Sequence, residues 1–234
     1  MSNSSSLQSD SKSPVPMGRE EAYLAKPGHY FGGARPDFVE ELRKDVVSRV
    51  LEVGCGMGGT ARLAREAGRV SSYCAIELSA SAAETARQYV DEIIVGDIET
   101  LDLPWQPRSF NVLILSEVLE HLVDPYATLR KLHHLMHPGG IVLASSPNVG
   151  HYGFILMLLR GDWRLENSGP HDRTHLRWFT PKTYRRMFEE CGYEVQIVKG
   201  VAAPGPKARV VRTLLGKKSD SLLLRQIWLK AKVR

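Results

Sequence analysis

The chain has 234 residues, 43% of them hydrophobic and 24% charged, with a formal net charge of +5. That is an ordinary globular composition with enough apolar material for one substantial core. Three scattered cysteines (Cys55, Cys74, Cys191) exclude a disulfide framework, and no apolar run approaches the ~20 residues of a membrane span.

Residues 1–26 are serine-rich and poor in large apolar side chains, so a disordered tail is expected there, ahead of one domain over 27–234. The N-terminus lacks the basic-then-apolar order of a signal peptide, and a cytoplasmic location is expected. Tyr30, Phe31 and Arg35 lead into a short helical pattern at Asp37–Lys44, with Pro36 suited to its first turn.

The stretch Val50–Thr60 follows, reading VLEVGCGMGGT. An apolar run ends in an acid, meets a glycine-rich loop and continues into the helix formers Ala61–Ala67. Strand, tight loop and helix are predicted. Glycine permits a sharp turn and close approach of a ligand, and the helix N-terminus offers unpaired N–H groups to it. Gly54, Gly56 and Gly59 also satisfy the dinucleotide fingerprint. Glu52 argues against a pyrophosphate, which it would repel, and for a cofactor carrying an ammonium or sulfonium group.

The run resembles motif I of the class I S-adenosylmethionine-dependent methyltransferases. The resemblance implies an α/β, Rossmann-like fold: a seven-stranded, mostly parallel sheet, an antiparallel seventh strand, and helices on both faces. It implies S-adenosyl-L-methionine as cofactor, bound by Glu52, Gly54, Cys55, Gly56 and Gly58. Tyr30, Phe31 and Arg35 would then cover the cofactor or pack as an arm across the sheet.

Further along, Ser72–Ile76 is a second strand ending in Glu77, at the distance from the glycine loop where an acid meets a ribose, with Leu78 beside it. Ser79 is a plausible N-cap for a helix to Tyr89. Ile93–Val95 is a third strand, and the following Gly96-Asp97-Ile98-Glu99 resembles the family's adenine motif. Asp97 would accept from the adenine amino group and Ile98 flank the ring, unless Asp97 only forms an Asx turn.

Phe110–Leu115, apolar throughout, is a central parallel strand running into Ser116, which the resemblance places among the cofactor-binding residues, and then Glu117, Glu120 and His121. A helix at Tyr126–Leu135, a turn at Pro138–Gly140 and a strand at Ile141–Ser145 follow. Residues 147–179 are irregular and aromatic, and are expected to cover the substrate. Trp163, Trp178 and Phe179 are core of that cover or walls for an apolar acceptor, and Arg177 is read as a brace within it. His133, His134 and His137, along the Tyr126–Leu135 helix or at its end, are read as exposed or dipole-complementing residues and not as ligands. Thr180 and Pro181 open a helix through Glu190, ended by Gly192; Tyr193–Val198 is a sixth strand and Leu222–Lys232 a last one.

Glu117, Glu120 and His121 stand at i, i+3 and i+4, one face if the segment is helical, and His175 in the cover is expected to converge on them. The pattern resembles the ubiquinone-biosynthesis O-methyltransferases and the small-RNA 3′-terminal 2′-O-methyltransferases. That resemblance implies a divalent metal held by Glu117, Glu120, His121 and His175, with His121 and His175 catalytic. The alternative is capping acids and a pocket-lining or basic histidine without metal.

The function expected is methyl transfer to a small-molecule acceptor, at a hydroxyl oxygen of a sugar, quinol-like ring or secondary metabolite. An RNA 2′-O-methyltransferase is the runner-up, suggested by the metal-like pattern and by ten Lys/Arg against the single acid Asp220 from Lys199 onward. The preceding chain is net negative, so nucleic acid is not the expected partner. A non-catalytic cofactor-binding module and an NAD(P) oxidoreductase are the remaining alternatives.

Overall fold

Short apolar runs alternating with helical stretches build a single seven-stranded sheet in a computed structural model, which describes residues 21, 23, 26, 28–42, 48–200, 213 and 220–234. The strands are β1 (Ser48–Val53), β2 (Val70–Glu77), β3 (Glu92–Val95), β4 (Phe110–Ser116), β5 (Met136–Pro147), β6 (Tyr193–Gly200) and β7 (Gln226–Val233). Their order is β3-β2-β1-β4-β5-β7-β6. The first five pair in parallel; β7 runs antiparallel to both β5 and β6. The strand order reverses between β1 and β4, and their carboxyl ends open the crevice where sheets of this kind bind ligands.

Alternate residues of the central strands feed two cores. On one face, Leu51, Leu113 and Leu115 pack with Leu129 and Leu132 of α4 (Pro125–Leu135) and with Tyr184, Met187 and Phe188 of α6 (Pro181–Glu190). On the other, Val50, Val112 and Ile114 pack with Phe38 of α1 (Pro36–Glu41) and with Ala61 and Ala64 of α2 (Gly59–Glu66). The fold is the one the motif I resemblance implied.

The helix starts follow their caps. Ser79 accepts from the Ala82 N–H to open α3 (Ala80–Ala86), and Asp124 accepts from Ala127 to open α4 behind Pro125. Thr180 and Thr183 cap one another's backbone at the start of α6, and Gly192 ends that helix region with φ +92°.

The structure departs from the sequence reading in four places. The Pro138–Gly140 stretch does not turn the chain: β5 begins at Met136, paired with Phe110, and the irregular register between Phe110 and Val112 takes up the extra residues. The last strand starts at Gln226 because Asp220–Leu223 forms a helical turn, α7. The cover contains a helix, α5 (Tyr152–Leu159), capped by His151. Most of the expected tail lies outside the described residues, but Lys26 within it is buried, held by an ion pair to Asp172. The basic segment 201–219 also lies outside them, apart from Thr213. Among the described residues no helix is long and apolar enough to cross a membrane.

Leu113 is fully buried at the centre of β4, between β1 and β5. Leu113→Ala is expected to lower the unfolding free energy by about 2–5 kcal/mol, seen as an earlier urea midpoint at unchanged slope. A loss well under 1 kcal/mol would contradict the assignment of β4 as the core strand.

Candidate active site

At the carboxyl end of β1 the chain enters the left-handed region at Gly54 (φ +73°) and Gly56 (φ +54°). Both positions also lack room. A Cβ on Gly54 would lie 2.7 Å from Val118 Cγ2, and one on Gly56 would lie 2.4 Å from the Phe31 carbonyl oxygen. The second contact reports an N-terminal arm crossing the loop, for the Met57 N–H donates to that same carbonyl at 2.9 Å. From the tip of β2, Glu77 ties the loop down on the other side. Its Oε2 accepts from the Gly56 N–H and its Oε1 from the Ser79 N–H, each at 2.8 Å. Burial raises the Glu77 pKa, opposed by those backbone donors.

Over the loop lies a cavity of about 440 Å³. Tyr23, Tyr30 and Phe31 of the arm form one wall; Glu52, Gly54, Cys55 and Gly56 form the floor; Ser116, Glu117, His121 and His175 close the far side. A smaller cavity of about 70 Å³ is lined by Gly54, Leu78, Asp97, Ile98 and His121 among others. Glu52, Gly54, Cys55, Gly56 and Ser116 therefore stand around the larger space, and Leu78, Asp97 and Ile98 around the smaller. Glu77 and Gly58 support the loop without lining either: Gly58 is the N-cap of α2. Asp97 also forms the Asx turn, accepting from the Glu99 N–H at 3.0 Å.

Arg35 was read from the sequence only as part of a cover, but its guanidinium reaches into the larger cavity. It donates to Ser116 Oγ at 2.8 Å and Ser145 Oγ at 2.5 Å, pairs with Asp37, and stacks 3.7 Å over the Phe38 ring. Nothing in the serine-rich context flagged Tyr23 or Lys26.

The Glu117–His121 segment is not the α-helix that would set Glu117, Glu120 and His121 on one face. Glu117 has φ +54°, and only Leu119–His121 form a 3-10 turn. Glu117 instead accepts from Gln226 Nε2 of β7 at 2.8 Å. The group that does form is Glu120, His121 and His175, each with one potential ligand atom within 4.8 Å of the others, and with the imidazole rings 4.7 Å apart. Glu117 is not part of that ligand-spaced group: its carboxylate is bonded to Gln226, although it lines the same cavity as His121 and His175.

Glu120 is 1% exposed, and neither carboxyl oxygen has a hydrogen-bond partner among the described residues. Burial, and then the Glu117 charge, push its pKa well up. Burial lowers His121 to about 3 and His175 to about 4, so both imidazoles are neutral over the ordinary working range. The His175 Nδ1 has no hydrogen-bond partner among the described residues either. This donor set, one carboxyl and two neutral imidazoles, suits a divalent cation.

The cover is fastened to the same turn. The Leu176 and Arg177 N–H groups both donate to the Glu120 carbonyl, at 2.8 and 3.0 Å, and the Arg177 guanidinium donates to the Val123 carbonyl. Arg177 is thus a brace. From His175 an edge-to-face series continues through Trp178 (5.5 Å) to Trp163 (a further 5.0 Å). Phe179 is core, packed on Tyr184. His133 packs on Tyr193, and none of His133, His134 and His137 lines either cavity.

Comparison with known proteins matches residues 23–197 to a family described as a methyltransferase domain. The chain is 29% identical over 181 residues to a ubiquinone biosynthesis O-methyltransferase of Neisseria meningitidis serogroup C, covering 74% of this chain and 75% of that one. It is 30% identical over 186 residues to the protein of the same name from Xylella fastidiosa, covering 75% and 73%. Among solved structures, a SAM-dependent methyltransferase from Archaeoglobus fulgidus superposes with a TM-score of 0.64 at 19% identity, over 85% of this chain and 90% of that one.

Glu52 provides a pH test of the site. It is 2% exposed and accepts from the Tyr73 hydroxyl at 2.8 Å; burial, opposed by that bond, raises its pKa from 4.5 to about 7. Between those values the folded chain holds a proton that the unfolded chain has released. Stability should therefore fall as pH rises through this window, by up to about 3 kcal/mol from this group. Urea unfolding at a series of pH values should show Glu52→Gln with a flatter profile than the wild type; identical slopes would refute the assignment.

Proposed function

From the premise that this chain belongs to the methyltransferase-domain family and is an S-adenosylmethionine-dependent methyltransferase, we propose that it methylates a hydroxyl oxygen of a small molecule. The observation that carries this reading is that the glycine loop and the His121–His175 pair line one cavity, so that donor and acceptor sites adjoin. The O-methyltransferase names of the relatives support oxygen as the acceptor atom.

In this reading Gly54, Cys55, Gly56 and the start of α2 hold the methionine moiety, with Arg35 offered to its carboxylate. Glu77 takes the ribose, Asp97 the adenine amino group, and Leu78 and Ile98 flank the ring. Bound S-adenosylmethionine supplies a methyl group on a sulfonium centre. Glu52 and Glu117 are acids whose pKa values burial raises, and whatever negative charge they carry favours that cation over a pyrophosphate. Ser116 closes the wall behind it.

What the chain contributes is placement. The arm and the 147–179 cover exclude water and hold the acceptor hydroxyl in line, which by itself is worth ~7–11 kcal/mol of a bimolecular barrier. The hydroxyl proton also needs a destination. Imidazoles held at about 3 and 4 are weak bases at neutral pH but retain their lone pairs. Glu120, His121 and His175 are therefore read as ligands of a divalent cation, which would act as a Lewis acid and lower the hydroxyl pKa, so that the proton is released to bulk solvent as the acceptor binds, before the methyl group moves. Glu120 would be ionised by the cation, meeting the need of its two unpartnered oxygens.

Titration calorimetry should show S-adenosylhomocysteine binding and no NAD binding. Asp97→Ala should weaken that binding about tenfold, near 1.4 kcal/mol. With a panel of hydroxylated aromatics, sugars and RNA 3′ ends as acceptors, methyl transfer is expected for a small molecule, lost in chelator and restored by a divalent ion. Transfer confined to RNA would overturn the acceptor class, and full activity in chelator would overturn the cation.

A further inference from the structure

Behind the Glu120–His121–His175 group runs a chain of polar contacts that the function above leaves unused. Lys26, in the N-terminal arm, is buried, and its ammonium meets Asp172 Oδ2 and the Asn167 carbonyl. Asp172 is 1% exposed. Its other oxygen, Oδ1, accepts from the Thr174 N–H at 2.9 Å and from the Thr174 hydroxyl at 2.7 Å. The same Thr174 hydroxyl oxygen lies 3.0 Å from His121 Nδ1, and the Thr174 carbonyl oxygen lies 3.2 Å from it.

Counting hydrogens decides the arrangement. The Thr174 hydroxyl has one hydrogen, and an ionised carboxylate oxygen can only accept. That hydrogen therefore goes to Asp172, and the hydroxyl turns lone pairs towards His121. The Thr174 carbonyl can only accept as well. Two acceptors thus converge on Nδ1. The opposite tautomer would set a third lone pair against them and leave both bonds unmade in a buried place, which is costly.

We infer that Asp172, anchored by Lys26, is a positioning residue that acts through Thr174 to fix His121 as its Nδ1–H tautomer and reserve the Nε2 lone pair for the reaction. Three segments far apart in sequence, the arm, the cover and the turn after β4, meet in this one relay. The use made of Nε2 rests on the function proposed above; the position of the proton does not. Asp172 also lines the larger cavity, and the effect inferred for it is on which nitrogen of His121 carries hydrogen.

Proton–nitrogen correlation NMR of the full chain with ¹⁵N-labelled histidine reads the tautomer directly, with the His121 signals assigned from a His121→Gln sample. The wild type and Thr174→Ser should both show a protonated Nδ1 and an unprotonated Nε2. Asp172→Ala frees the Thr174 hydrogen to point at Nδ1, so both nitrogens should move towards averaged shifts. Methyl transfer should then fall about 10–100-fold in kcat, the usual range for a lost outer-shell partner of a ligating histidine, while S-adenosylhomocysteine affinity stays unchanged. Because that variant strands the Lys26 charge, Lys26→Met with Asp172→Ala provides the same measurement without a buried unpaired ammonium. A wild-type Nε2–H tautomer would overturn the inference, as would an unshifted His121 in a folded Asp172 variant. The expected tautomer in a protein that transfers no methyl to small hydroxyls would instead overturn the proposed function and leave the relay standing.

Discussion

Taking a carboxylate out of water costs several kcal/mol unless hydrogen-bond donors or a cation replace the water, and around this cavity Glu52, Glu77 and Glu120 are all buried. The compensation differs at each. Glu77 receives two backbone N–H groups and thereby fixes the shape of the glycine loop. Glu52 receives the Tyr73 hydroxyl and is left half-way to protonation at neutral pH. Neither Glu120 oxygen has a hydrogen-bond partner among the described residues, and burial pushes its pKa well up. The rest of the site is arranged around this gradient, from an acid met by two backbone donors to one met by no hydrogen bond among the described residues.

The burial that produces the gradient is supplied from two directions. The arm places the Phe31 carbonyl against the glycine loop, where only a residue without a Cβ leaves room. The cover returns over the turn after β4 and fastens to the Glu120 backbone through two N–H groups. Lys26 and Asp172 then join arm to cover directly. Each closure withdraws water from the acids and imidazoles beneath it. The same burial that raises Glu120 also lowers His121 and His175, because in each case it disfavours the charged form.

Much of the framework was legible in the sequence because it depends on local chemistry. Glycines in the left-handed region, Ser79, Asp124 and Thr180 at helix starts, and uninterrupted apolar runs in β1 and β4 act through neighbours a few residues away. Residues 54–56, 78, 97 and 98 fell around two adjoining cavities for the same reason: each sits at a strand end whose position follows from the sheet order. The helical reading of Glu117–His121 failed where a local rule met a tertiary one. A periodic spacing implies one face only if the backbone is helical, and here the chain leaving β4 is bent at Glu117 into the left-handed region, its carboxylate bonded to Gln226 of β7.

The amino-acid sequence by itself determined the sheet, the cofactor loop and the family of chemistry, since strand pattern, glycine placement and strand-end acids encode them within short windows. Tertiary structure alone decided which acid stands with His121 and His175, that Arg35 enters the cavity, and that Lys26, Asp172 and Thr174 form one relay. Those relations join residues up to 146 positions apart. They arise from the packing of arm and cover over the sheet, for which no periodicity or motif in the chain provides a sign.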